Sequence, residues 1–213
     1  MKVLANDGVS QSGIDALTNA GIEVITTKVA QEQLVNYINE NNISVLLVRS
    51  ATTARKALID ACPGLKIIGR GGVGMDNIDV TYAREKGLSV INTPAASSSS
   101  VAELVFAHLF GGVRYLFDSN RNMPLDGDTR FKELKKNYAK GSELRGKTIG
   151  IIGFGRIGRE VAKIALGCGM KVIASDNYVD TANITLDFFD GQKVTLEIKT
   201  KPIDELIQQS DFI

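Results

Sequence analysis

Histidine occurs once in this chain of 213 residues, at His108, and cysteine twice, at Cys62 and Cys168. These scarcities narrow the chemistry. The two cysteines lie in different segments with no CxxC spacing, so they read as free thiols in a reducing compartment, and no metal site is expected. A lone histidine is the obvious general acid–base. His108, however, stands in an apolar run with Val105, Leu109 and Phe110 and has no acid paired to it in sequence, which predicts a core or interface histidine. Net charge is only +1, which leaves no basic footprint for nucleic acid and no acidic tail. The lysines between Lys132 and Lys140 are interspersed with acid and read as a solvated face. No apolar run reaches membrane-spanning length, and MKVLAND at the N-terminus reads as a strand and turn, not a signal peptide. No internal repeat is present, and the serine run Ser97 to Ser100 is the only low-complexity tract. The cytoplasm is therefore the expected setting, with neither nucleic acid nor membrane as partner.

What the chain does contain is organised around Lys147 to Asp176, KTIGIIGFGRIGREVAKIALGCGMKVIASD. An apolar strand, Thr148 to Ile152, runs straight into Gly153-Phe154-Gly155-Arg156-Ile157-Gly158. An amphipathic helix follows, then a second apolar strand, Val172 to Ala174, and an acid. Each glycine has a physical reason in a dinucleotide-binding βαβ unit. Gly153 allows the tight turn, Gly155 lets the backbone approach a pyrophosphate, and Gly158 lets the helix pack close to the strand. The helix N-terminus offers free N–H groups and a positive dipole end to the phosphates. Asp176 lies 18 residues after Gly158, near the spacing expected of the acid that holds the ribose hydroxyls.

Upstream, strands and helices alternate up to about residue 93, which predicts a parallel sheet wrapped on both faces. Five strands are expected, near residues 3–5, 24–26, 45–48, 65–68 and 88–91. Ser10 is the expected N-cap of the first helix, and Pro63 stops a helix over 56–61. Ligands of such sheets gather at the carboxyl ends of the strands. Arg49-Ser50-Ala51-Thr52, the glycine-rich run 69–79 and Asn92-Thr93-Pro94 follow the third, fourth and fifth strands. Two arginines and a glycine turn on one edge suit an anion: exposed backbone N–H groups form a nest, and guanidinium groups bind carboxylate or phosphate bidentately.

From Ser97 the character changes. Ser100 and Glu103 have capping-box spacing at the head of a helix that is apolar almost all round, which predicts burial between domains or across a homodimer. Residues 118–146 are polar and read as a loop-like arm. Alternation over 184–188 and 194–198 around Asp190-Gly191 predicts a β-hairpin, and a short helix over 203–209 follows. Phe212-Ile213 reads as the start of the third strand of the cofactor sheet. With only half of a dinucleotide fold in hand, the strand TIGII would be an exposed apolar edge, so the sequence is expected to be a piece of a longer chain.

Together GVGMDNID at 72–79, NTP at 92–94, SVAE at 100–103 and LRGKTIGIIGFGRIG at 144–158 with Asp176 resemble the D-isomer-specific 2-hydroxyacid dehydrogenases. The likeness covers nearly the whole chain except the 181–200 hairpin, which reads as an insertion. Val48 to Thr52 with Gly69-Arg70 look most like the family's phosphoglycerate dehydrogenase branch, which serves serine biosynthesis. The resemblance implies an α/β fold: a flavodoxin-like, doubly wound substrate domain over 1–96, and the first half of a Rossmann NAD-binding domain over 97–213. It implies that Arg49, Ser50, Arg70, Gly72, Val73 and Gly74 bind a small anionic 2-hydroxy acid. It implies NAD as cofactor, with Gly153, Phe154, Gly155, Arg156, Ile157 and Gly158 at the pyrophosphate, Asp176 at the adenosine ribose and Val73 near the nicotinamide. The family's catalytic arginine, glutamate and histidine map beyond residue 213, so these residues alone are expected to be inactive. Another D-2-hydroxyacid dehydrogenase, a hydroxypyruvate or glycerate reductase, and a non-catalytic NAD-sensing protein are the alternatives.

Overall fold

The structure is a computed structural model and describes residues 1–213. It divides into two compact units, Met1–Ser97 and Ser98–Ile213. In the first unit, β1 (Lys2–Ala5), α1 (Gln11–Asn19), β2 (Glu23–Ile25), α2 (Leu34–Glu40), β3 (Val45–Val48), α3 (Lys56–Ala61), β4 (Ile67–Arg70), α4 (Val80–Glu85) and β5 (Ser89–Asn92) follow in order. Every strand pairing is parallel, and the sheet order is β2-β1-β3-β4-β5. This is the flavodoxin-like doubly wound order that the family resemblance implies. Leu4 of β1, Leu46 of β3 and Ile68 of β4 are fully buried, with Leu34 and Ile38 of α2 packed in the same core. Ser10 caps α1 by accepting from the Gly13 amide at 3.3 Å. Gly21 (φ +75°) reverses the chain after it, a conformation that a β-carbon disfavours. The strand order changes direction between β1 and β3, so a crevice opens at the carboxyl ends of those two strands.

The second unit comprises α5 (Ser98–Val113), α6 (Leu116–Asp126), α7 (Phe131–Tyr138), β6 (Thr148–Ile152), α8 (Arg156–Gly167), β7 (Lys171–Ser175), β8 (Thr181–Asp187), β9 (Lys193–Lys199) and α9 (Ile203–Gln209). β6 and β7 pair in parallel, and β8 and β9 form the antiparallel hairpin expected around Asp190-Gly191. Its core gathers Phe106, Ile149, Phe154, Val161, Ala165 and Ile184.

Three expectations are corrected. Residues 118–146 do not form a loop-like arm, because α6 and α7 occupy much of that stretch. Only Leu134 is buried in these two helices. Polar ties hold them together: Asn122 donates to the Tyr138 hydroxyl at 3.2 Å, and that hydroxyl donates to Asp118 at 3.0 Å. Secondly, α5 buries one face only. Ala102 and Phe106 are inside, while Leu104, Phe110 and His108 are exposed, so of the two places expected for His108, core or interface, the structure overturns the first. Thirdly, Phe212 does not take the third strand position. Thr200 bridges to Ala174 beside β7, and Phe212 bridges to Ile149 on the other side of β6. The Gly150 amide donates to the Phe212 carbonyl at 2.7 Å, so β6 is flanked on both sides and is not the exposed edge expected. No single helix is long and apolar enough to cross a membrane.

Candidate functional site

Strand β6 delivers the glycine turn to the N-terminus of α8. Gly153 has φ +93°, which a side chain would strain, and its amide donates to the Ser175 carbonyl at 2.8 Å. A β-carbon on Gly158 would lie 2.2 Å from the Gly153 carbonyl oxygen, so only glycine permits this approach of helix to turn. Nothing lies within 4 Å of the corresponding position on Gly155, which leaves the backbone open to a ligand. The α8 N-cap, Gly155, makes no side-chain capping bond, so the first-turn amides are available to an anion. Arg156 and Ile157 are exposed beside it. Phe154 is different: its ring is fully buried in the core, and only its backbone borders the turn.

Asp176 directly follows β7 and faces that turn. One carboxylate oxygen accepts from the Phe154 amide at 2.6 Å and the other from the Tyr178 amide at 2.8 Å. The bonds from Tyr178 and Phe154 hold its carboxyl below the usual aspartate range. Each oxygen keeps a second lone pair, so the ionised group can still accept from ligand hydroxyls. Asp176 lines a cavity of about 630 Å³ with Ile152, Gly153, Asn177, Tyr178 and Lys201. Arg159, which the sequence reading overlooked, donates from Nε to the Phe154 carbonyl at 3.1 Å and braces the turn from the first turns of α8.

The first unit has its own cavity, of about 670 Å³, at the carboxyl ends of β1, β3 and β4. Arg49 and Arg70 line it together with Asp7, Ser10, Gly71 and Thr93. Arg49 is exposed and its guanidinium has no protein partner. Arg70 is folded inward with its side chain 14% exposed; Nη1 meets Asp76 at 2.5 Å, and Nε is buried without a partner. Ser50 is exposed next to Arg49, and Gly72, Val73 and Gly74 stand beside the cavity without lining it. The Asn92 amide fixes that turn by donating to the Val73 carbonyl at 2.7 Å.

The strand-end reading covered β3, β4 and β5 and passed over Asn6-Asp7-Gly8 after β1. That omission hid the residues that hold the Arg49–Thr52 loop. Asp7 accepts from the Arg49 amide at 2.7 Å, the Thr52 amide at 3.0 Å and the Thr52 hydroxyl at 2.7 Å. Asn77 donates to the carbonyls of Arg49 and Thr52 at 2.7 and 2.6 Å. Buried Asn6 joins Thr52 to Val29. Partial burial pushes the Asp7 carboxyl up, and the bonds from Thr52, Arg49 and Ala51 more than offset it, leaving it below the ordinary value of 3.8. A carboxyl depressed on folding stabilises the fold above its unfolded pKa, and that contribution disappears as pH falls through the folded value. Urea midpoints of the parent and Asp7→Asn should therefore differ at neutral pH, and the gap should begin to close only as pH falls below 3.8 towards the lower folded value. A pH-independent gap would exclude ionised Asp7 as the organiser of the loop.

Residues 3–207 match the family model for the catalytic domain of D-isomer specific 2-hydroxyacid dehydrogenases. Over 213 residues, all of the chain, it is 38% identical to the hydroxypyruvate reductase of Thermotoga maritima, of which it spans 63%. It is 36% identical, again along its whole length, to the D-3-phosphoglycerate dehydrogenase of Methanocaldococcus jannaschii, of which it spans 38%. Among solved structures, the TT0316 protein from Thermus thermophilus aligns with a TM-score of 0.76 and 25% identity, covering 99% of this chain and 63% of that one. The chain thus spans less than two thirds of each of these relatives. A family match running through both units, over residues that carry the glycine turn, Asp176 and both cavity arginines, places the chain in the D-isomer specific 2-hydroxyacid dehydrogenase family.

Proposed function

We propose that this chain supplies the substrate-recognition unit (1–96) and the adenosine–pyrophosphate side of the dinucleotide unit (97–213) of an NAD-dependent D-2-hydroxyacid dehydrogenase. Its proposed reaction is oxidation of D-3-phosphoglycerate to 3-phosphohydroxypyruvate. The observation that carries the cofactor reading is the open backbone at Gly155 facing an ionised Asp176 at the end of the next strand. Bound there, NAD supplies the acceptor for the hydride that leaves C2 of the hydroxy acid. The first-turn amides of α8, with Arg156 and Ile157, hold the pyrophosphate. Asp176 accepts from the ribose hydroxyls and repels a 2′-phosphate, which favours NAD over NADP.

On the substrate side, Arg49 and Arg70 hold the anionic ends, and the Gly72-Val73-Gly74 turn offers amides to the carboxylate. Fixing both ends orients C2 and restricts which hydroxy acids fit. We assign the proton transfer to none of these residues, because the lone histidine lies exposed on α5, away from both cavities' linings. The exposed apolar face of α5, with Val101, Leu104, Val105 and Phe110, is the proposed homodimer surface.

Calorimetric titration of the chain with NAD and NADP tests the cofactor reading. NAD should bind the tighter, and Asp176→Ala should narrow the preference, mostly by weakening NAD. Charge-assisted hydrogen bonds contribute about 1.5–3 kcal/mol each, so the change should be roughly tenfold or more. An unchanged NAD/NADP ratio would remove Asp176 from the ribose site. A second reading is reduction of hydroxypyruvate or oxidation of glycerate. It is favoured by the pairing of Arg70 with Asp76, which leaves Arg49 as the only uncommitted guanidinium in the cavity.

A further inference from the structure

The β8–β9 hairpin is absorbed by neither the substrate nor the dinucleotide reading. It forms its own two-stranded sheet, tied to β7 by one bridge between Ala174 and Thr200, just after β9, while β8 lies on the far side of β9. The Thr200 amide donates to the Asp180 carbonyl and the Phe188 amide to the Gln192 carbonyl. Antiparallel pairs alternate between bonded and non-bonded, so even-numbered residues of β8 bond to β9, and the amides and carbonyls of Thr181, Asn183, Thr185 and Asp187 point to the open edge. No backbone group of β8 bonds to any element other than β9. Exposed edges are commonly guarded by charge, above all lysine. β9 carries Lys193, Glu197 and Lys199, whereas β8 reads TANITLD over seven residues, with no charge before Asp187.

We infer that the β8 edge is an interaction surface for a second copy of this chain, pairing antiparallel about a two-fold axis at Ile184. The residue chemistry selects that partner. In this register Thr181 faces Asp187 of the other copy, Asn183 faces Thr185, Ala182 faces Leu186 and Ile184 faces itself. Polar residues meet polar ones on one side of the sheet and apolar meet apolar on the other, with no like charges opposed. All outward amides and carbonyls of the two strands find partners, and the two hairpins become one four-stranded sheet. The same operation on β9 about Leu196 would set Lys193 against Lys199 of the other copy, so pairing through β9 is opposed and β8 is the strand of the hairpin that pairs, a contact additional to the α5 face. On the apolar face of the hairpin, Ala182 and Ile184 of β8 are buried, while Val194 and Leu196 of β9, the latter directly opposite Ile184, are exposed, as is Phe188 beyond β8.

Two experiments on the 213-residue chain test this. Sedimentation velocity should read an assembly containing this contact, and Thr185→Pro, which deletes an outward donor and no β8–β9 backbone bond, should halve the sedimenting mass while leaving the far-ultraviolet circular dichroism unchanged. Since proline could instead unravel the hairpin, the second experiment uses cysteine pairs. A mixture of Asn183→Cys and Thr185→Cys chains should form an intermolecular disulfide under mild oxidation, several-fold faster than either variant alone. A monomeric parent would overturn the inference. So would an oligomer that survives Thr185→Pro with no preferential cross-link in the mixture, which would leave the α5 face as the interface.

Discussion

Replacing Gly158 with valine should cost the second unit much of its stability, whereas replacing Gly155 with alanine should cost it almost none and still weaken dinucleotide binding. The contrast follows from what surrounds each position. At Gly158 the first added carbon would lie 2.2 Å from the Gly153 carbonyl oxygen and 3.1 Å from Ile151 Cγ2. Neither neighbour can yield cheaply: one is backbone, and the other belongs to a buried strand of the core. Overpacking of this kind typically costs about 1–3 kcal/mol, and a branched side chain against a carbonyl belongs at or beyond the upper end. Relief requires α8 to move off β6, which also pulls the Gly153–Gly155 turn out of shape. At Gly155 the added carbon meets nothing within 4 Å, and the backbone (φ −76°, ψ −154°) is extended and open to any residue. The space it would fill is the space through which a pyrophosphate approaches. Urea denaturation followed by circular dichroism, with NAD titration of the folded variants, separates the two effects. If Gly155→Ala binds NAD like the parent, the turn is structural and the dinucleotide reading falls.

How far the sequence could be read depends on where the information resides. The parallel sheet was legible in Val45 to Val48 and its sister runs, whose burial on two faces leaves a continuous apolar signature, whereas its flavodoxin-like order was implied by the family resemblance alone. The glycine turn was legible because each glycine is forced by sterics that no other residue satisfies. Helices α6 and α7 were not legible. Their contacts run through Asn122, Tyr138 and Asp118, and polar ties leave no periodic apolar trace. Pro124 lies inside α6, although proline disfavours a helix interior. The placement of Phe212 was misjudged because Thr200, just after the hairpin, bridges to β7 where the third strand was expected, and one bridging residue has no pattern of its own. In the first cavity the arginines were visible as charge at strand ends. Asp7 and Asn77 were not, since their part is to hold the loop backbone, and hydrogen bonds to backbone have no sequence period.

Arg49→Ala should weaken the binding of D-3-phosphoglycerate by about 10–150-fold, the equivalent of roughly 1.5–3 kcal/mol for a charge-assisted pair, without a change in stability. The stability half of that statement rests on the absence of any protein partner for its guanidinium, so truncation orphans nothing. Arg70→Ala should behave differently on both counts. Its side chain is 14% exposed, so removing it also loses packing of the aliphatic stem, although the released Asp76, at 87% exposure, is simply solvated. Arg70→Lys should not restore binding, because an ammonium cannot hold Asp76 and a substrate oxygen in the planar geometry of a guanidinium. D-glycerate provides the control that decides between the two substrate readings. If Arg49 holds the phosphate, Arg49→Ala leaves D-glycerate binding where it was and abolishes the advantage of the phosphorylated acid. If both acids lose equally, Arg49 meets the carboxylate that they share, and the cavity belongs to an unphosphorylated hydroxy acid. The double variant then reports coupling: residues that clamp one ligand from two sides should lose less together than the sum of their separate losses, whereas independent contacts at opposite ends of the ligand should add.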